Sequence, residues 1–258
     1  MRAAIAQATL AGMSNRSSAL RLSELSWMDA AAWFRRDPRL IVPVATCMQH
    51  GPHLPLGADA IIVESLAGGI SSHHNVLVAP TLSYGAASER DQEYAGTAAI
   101  GAKTLHRVLN DLVAGWERHG VREFVLITAQ GFGSHFGALV SVIAERARIR
   151  AVDINAVDLS GFLTNPDIPE RAGELETSLL LHLAPQLVHE DRIEDTPLER
   201  HEVAELLVGS EPMPPPGSPG VVGNPTFASA DKGRRIYDYL VEHIGSRLFG
   251  QPQGSGNS

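Results

Sequence analysis

Residues 124–128, FVLIT, are the clearest buried-strand run in the chain, and LIVPV at 40–44 is a second of the same kind. Short aliphatic and β-branched runs bounded by turn formers read as strands inside a core. Val76 to Ala79 and Ala151 to Val157 are two further candidates. Segments of helical period stand between them. Ser26 caps a helix that starts at Trp27, with Asp29 in its first turn, Arg35 and Arg36 in its last, and Asp37-Pro38 as its stop. Further helices are expected over Ala60 to Ile70, over 101–118, from Phe136 to about Arg148, within 171–188, and from Ser229 or Ala230 to about Leu248. Strands alternating with helices of this length imply βαβ units, hence an α/β domain with a mostly parallel sheet.

Composition narrows the classes of function. Hydrophobic residues make up 44% of the 258 positions and charged residues 19%, enough to bury a sizeable core. The formal net charge of -8 argues against nucleic acid or an anionic membrane surface as partner, because phosphate binding needs a cationic face. Cys47 is the single cysteine, so an intrachain disulfide and a multi-cysteine metal site are both excluded, and a cytoplasmic location fits. No apolar run approaches the roughly 20 residues a membrane helix needs. Residues 1–21 read as a loose extension, 22–249 as a single domain and 250–258 as a disordered tail.

Chemistry concentrates at 40–59, LIVPVATCMQHGPHLPLGAD, where a strand runs into a loop bearing His50, His53 and Asp59. Imidazole and carboxylate groups at the carboxyl end of a buried strand suit a metal or a polar substrate in an α/β crevice. A proline-stiffened loop with solvated histidines is the other reading. Gly131 and Gly133 in AQGFGSH lack both the dinucleotide and the Walker spacing and so carry little weight for phosphate. Cys47 reads as a small buried residue, since no neighbour in sequence lowers its pKa.

QHGPHLPLGAD, the GT of YAGT, LITAQGFG, RAGELETS and GVVGNPTFASADKG together resemble the creatininase (creatinine amidohydrolase) family over about residues 22–248. The resemblance implies a three-layer α/β/α sandwich and metal-dependent hydrolysis of a C–N bond, amide or lactam, in a small polar molecule. It also implies a homo-oligomer, commonly a hexamer. Family members hold two metal ions bridged by a carboxylate. By that pattern Asp59 is the bridging residue, with His50 and Glu176 around one ion. At the other ion the family's Glu is Met48 here, its His is Phe132, and an acidic or glycine position is Ser134. The expectation is therefore one divalent metal, Zn, Mn or Fe, on His50, Asp59 and Glu176, or none at all.

The family's proton-moving His is Arg171 in this chain. Arginine stays protonated, so a substrate carboxylate is its expected partner. A second His position is Asp91, and an Asp91–Arg171 ion pair is expected to replace the histidine pair. His53, Asp91, Ser134, His135 and Arg171 are the expected substrate-side residues, with Asp59, Glu176, Arg171 and His50 as the catalytic set. Each has a plainer reading. His50 and Asp59 can persist as a structural pair, Glu176 can serve the helix dipole, His53 can brace its turn, and His135, at a position where the family has Asn, can be a substitute ligand or a solvated loop histidine. Two rival functions stay open, a metal-independent cyclase, lyase or isomerase, and a non-catalytic relative.

Overall fold

The computed structural model describes residues 19–131, 133–166, 170–197, 214 and 217–250. Most of the expected extension at 1–21, most of the tail at 250–258, part of the proline-rich 213–220 and Phe132 lie outside these residues. Strands β1 (Arg39–Pro43), β2 (Leu77–Val78), β3 (Glu123–Thr128) and β4 (Arg148–Asp153) form one parallel sheet in the order β2-β1-β3-β4. The helices among the described residues are α1 (Trp27–Arg36), α2 (Ala58–His74), α3 (Ala102–Arg118), α4 (Gly133–Val140), α5 (Glu174–Leu183) and α6 (Ala230–Phe249). None of them is long and apolar enough to cross a membrane.

The three layers follow from strand alternation, which sends successive side chains to opposite faces. Leu40, Val42, Phe124 and Leu126 enter a core built with α1, α3 and α4, while Ile41, Val125 and Ile127 enter the other, built with α2, α5 and α6. The parallel register pairs Leu40 with Phe124 and Val42 with Leu126, so the two strands deliver their apolar rows to the same faces. Each fully buried aliphatic or aromatic side chain contributes roughly 1.5–3 kcal/mol. Both faces are covered, which is why the strands read as unbroken apolar runs.

Element ends depart from the sequence expectation where side chains intervene. The helix expected from Phe136 to Arg148 is α4, Gly133–Val140, and stops early. The Glu117 carboxylate accepts the backbone N–H groups of Glu145 and Arg146, holding that stretch in a bend that delivers the chain to β4. The strand expected over Ala151 to Val157 is shifted to Arg148–Asp153, because Asp153 caps the turn at Ile154–Ala156 by accepting from Asn155 N–H. Helix α2 outruns its expected end and closes on Asn75 in the left-handed conformation, φ 53. Leu20 and Arg21 run beside β2, Leu20 accepting from Val78 N–H at 2.8 Å.

The topology places the site. From β1 the chain crosses through α2 to β2 on one side, then through α3 to β3 on the other side of β1. Helices α2 and α4, which follow β1 and β3, pack on opposite faces. The loops leaving the carboxyl ends of these adjacent strands therefore diverge, and a crevice opens between them.

Candidate metal centre

Three ligand-type residues from three elements meet in that crevice. His50 comes from the loop after β1, Asp59 from the first turn of α2 and Glu176 from the first turn of α5. One ligand atom from each lies within 4.8 Å of the others. The loop is closed by Met48 N–H donating to Leu56 O at 3.0 Å. Its turn needs Gly51, which has φ +67 and no room for a Cβ beside Val221. Both carboxylates sit at the positive end of a helix dipole, which favours their charge.

His50 donates Nδ1–H to the Met48 carbonyl at 3.1 Å, which directs Nε2 at the acids. Nε2 is 3.2 Å from Asp59 Oδ1 and 3.7 Å from Glu176 Oε1. Burial opposes protonation of this ring, yet the Asp59 charge and hydrogen bond, with Glu176 and the Met48 carbonyl, raise it to about 9. Burial raises the Glu176 carboxyl, against the pull of His50 and Arg171. Asp59 Oδ2 is buried with no hydrogen-bond partner. A buried carboxylate oxygen left bare is costly, and a cation would satisfy it. One nitrogen and two carboxylate donors, with an open oxygen among them, fit a single divalent ion.

Beside this cluster lies Met48, where the resemblance implies that a ligand of a second ion is replaced. Met48 is fully buried, and its Sδ touches the Gln130 amide and lies 3.8 Å from Arg171 Nη1. The expected ion pair is present. Arg171 Nη1 is 3.4 Å from Asp91 Oδ2, and both side chains are buried. Asp91 is further held by Ser88 Oγ at 2.6 Å and Gln49 Nε2 at 2.8 Å. Ala172, at φ 51, is in the left-handed region. Its N–H caps the Glu176 carboxylate while the preceding Arg171 reaches Asp91.

A cleft of about 470 Å³ opens beside the cluster, lined among others by Gln130, Asn155, Asp158, Glu170, Arg171 and Glu176. Of the expected substrate-side residues only Arg171 is on its wall. Asp91 is committed to Arg171, Ser88 and Gln49. His53 bonds Thr177 through Nε2 at 2.9 Å, tying the loop to α5, and burial with the nearby His50 charge lowers it to about 4. Ser134 is exposed on α4 and is not among the cleft's lining residues.

His135 corrects the solvated reading. It is fully buried, its Nδ1 accepts from Ala86 N–H at 3.1 Å, and its Nε2 meets Thr128 Oγ1 at 3.1 Å. Burial lowers it to about 4, leaving a neutral ring with both nitrogens engaged. Sequence reasoning missed Gln130, Asn155, Asp158 and Glu170. The first three each follow a strand's carboxyl end, the position where α/β crevices recruit polar groups. Glu170 carried no comparable signal beyond preceding the RAG motif.

Comparison with known proteins shows the family and the fold. The profile of the Creatininase family, described as creatinine amidohydrolase, matches residues 23–248. The chain is 32% identical over 222 residues to the mycofactocin precursor peptide peptidase of Mycolicibacterium smegmatis, covering 82% of this chain and 84% of the relative. It is 26% identical to the creatinine amidohydrolase of Pseudomonas putida, covering 90% and 97%. A solved structure titled "Creatininase Mn" superposes with a TM-score of 0.75 over 90% of this chain and 99% of that one, at 23% identity, a likeness of fold. The chain belongs to the creatininase (creatinine amidohydrolase) family.

Proposed function

We propose that this chain hydrolyses an amide bond in a peptide-like or similarly polar molecule, using one divalent cation held by His50, Asp59 and Glu176. The observation that carries the reading is the convergence of these three donors, with the second carboxylate oxygen of Asp59 buried and without a hydrogen-bond partner. Relatives named as a peptidase and as an amidohydrolase support amide chemistry, and the greater identity to the peptidase favours a peptide-like substrate. A cleft of about 470 Å³ is of a size to hold such a molecule.

A divalent ion supplies Lewis acidity and lowers the pKa of water. The chain's own groups do the rest. The Nδ1–H bond to Met48 O fixes the tautomer and aim of His50. Arg171 shares the cleft wall with Glu176 and supplies a permanent positive charge for a substrate carboxylate. Among the described residues one group of ligand-type side chains, His50, Asp59 and Glu176, could hold an ion, so the reading is for one ion and not two. Turnover of a panel of short peptides, and of creatinine as the lactam, tests it. Asp59→Asn should abolish hydrolysis together with bound metal, and a fully active Asp59→Asn protein would refute the reading.

A metal-independent acid–base enzyme is the second reading. It is favoured by the charge balance of the cluster, where His50, protonated up to about 9, faces two carboxylates. Activity that survives exhaustive dialysis against a chelator would select it.

A further inference from the structure

We propose that Glu170 is the proton donor of this site, delivering a proton to the leaving nitrogen as the C–N bond breaks. The inference rests on the amide-hydrolysis reading above and adds a residue to it. Cleavage of an unactivated amide needs such a donor, because an amide anion is too poor a leaving group to depart from water unaided. The position that resembles the family's proton-moving histidine is Arg171, which cannot give up a proton near neutral pH. A replacement acid must reach the same cleft, and Glu170 lines it together with Arg171 and Glu176.

The seat of this carboxyl is built from the backbone around it. Glu170 Oε2 accepts from Glu174 N–H at 2.8 Å and Leu175 N–H at 3.4 Å, and Oε1 accepts from Asn224 N–H at 3.4 Å. Two glycines make room for it. A Cβ on Gly173 would lie 2.6 Å from Glu170 Cδ, and one on Gly223 would lie 2.8 Å from Oε1. Two of the three hydrogen bonds are long, so the carboxylate form is incompletely compensated. Burial raises the carboxyl to about 7, against the Asn224 and Leu175 N–H groups; Glu176 pushes it the same way and Lys232 opposes. Asp158 and Arg171 are the other charged groups on the cleft wall. A group that is part acid and part base near neutrality is suited to exchanging protons during turnover.

The balance of the step is simple. Water adds its oxygen to the carbonyl carbon, the C–N bond breaks, and the nitrogen leaves as an amine carrying the Glu170 proton. The proton released by the attacking water returns to the Glu170 carboxylate, so the sum is amide plus water giving acid plus amine.

Two substrates with one acyl part separate this role from that of a helix cap. One is an alkyl amide, which needs a proton donor, and the other a p-nitroanilide, whose leaving group departs with less help. In metal-replete protein, Glu170→Gln should lower kcat/KM for the alkyl amide by about 10²–10³-fold and for the nitroanilide by less than about tenfold, with metal content unchanged. Glu170→Asp, which keeps an acid, should restore much of the alkyl-amide rate. Should Glu170→Gln fail to fold, Glu170→Asp must still show a larger loss on the alkyl amide than on the nitroanilide. Equal losses on both substrates, or none, overturn the assignment and leave the metal reading standing. The contrasting losses in a protein that carries no metal keep Glu170 and overturn the metal reading.

Discussion

Arg171 Nη1 stands 3.4 Å from Asp91 Oδ2 with both side chains buried, 80 positions apart in the chain. A guanidinium in this setting depends on its partner, because removing one member of a buried pair leaves an uncompensated charge. Asp91→Asn should therefore destabilise the protein by roughly 3–5 kcal/mol in urea or thermal unfolding. Asp91→Asn combined with Arg171→Met should recover much of that loss. A single variant as stable as the parent would mean the two charges do not depend on one another.

Met48 touches Gln130 and Arg171 with its Sδ and is fully buried, so it acts as filler for this part of the site. Met48→Ala should cost about 2–5 kcal/mol through the space it leaves. Met48→Leu, nearly equal in volume, should cost less than about 1.5 kcal/mol. Unfolding midpoints of the two variants check this, and equal losses would show that the sulfur contacts matter more than the volume.

Three buried histidines give the metal-free protein a stability optimum in pH. His50 is raised to about 9 from 6.5, so its contribution is full below 6.5 and lost as pH rises through about 9. His53 and His135 are lowered to about 4 from 6.5, so the neutral rings favour the fold above 6.5 and that advantage is lost as pH falls toward about 4. Melting temperature should fall on both sides of neutrality. His50→Gln should flatten the alkaline limb, and an unchanged limb would assign it to another group.

The sheet was legible because its strands are buried on both faces, leaving FVLIT and LIVPV without polar interruption. Ser26, Ser229 and the helical stripes placed α1 and α6 almost to the residue. Of the candidate metal cluster, His50 and Asp59 were legible because they share one loop and helix start, whereas Glu176 was expected from the family resemblance alone. His135 was misjudged because glycine-rich surroundings read as an exposed loop, whereas Thr128 and the Ala86 amide, from other segments, enclose it. The Met48–Arg171 contact joins positions 123 apart, and no local spacing encodes it. Glu170 was hidden for a related reason, since its seat is assembled from α5 and from Gly223 and Asn224.

Metal stoichiometry of protein purified without an affinity tag or chelator is the most direct measurement. One divalent ion per chain is expected, lost in Asp59→Asn and in Glu176→Gln, and retained in Met48→Leu. Two ions per chain, or a single ion kept when Asp59 is replaced, would contradict a one-ion centre built from His50, Asp59 and Glu176.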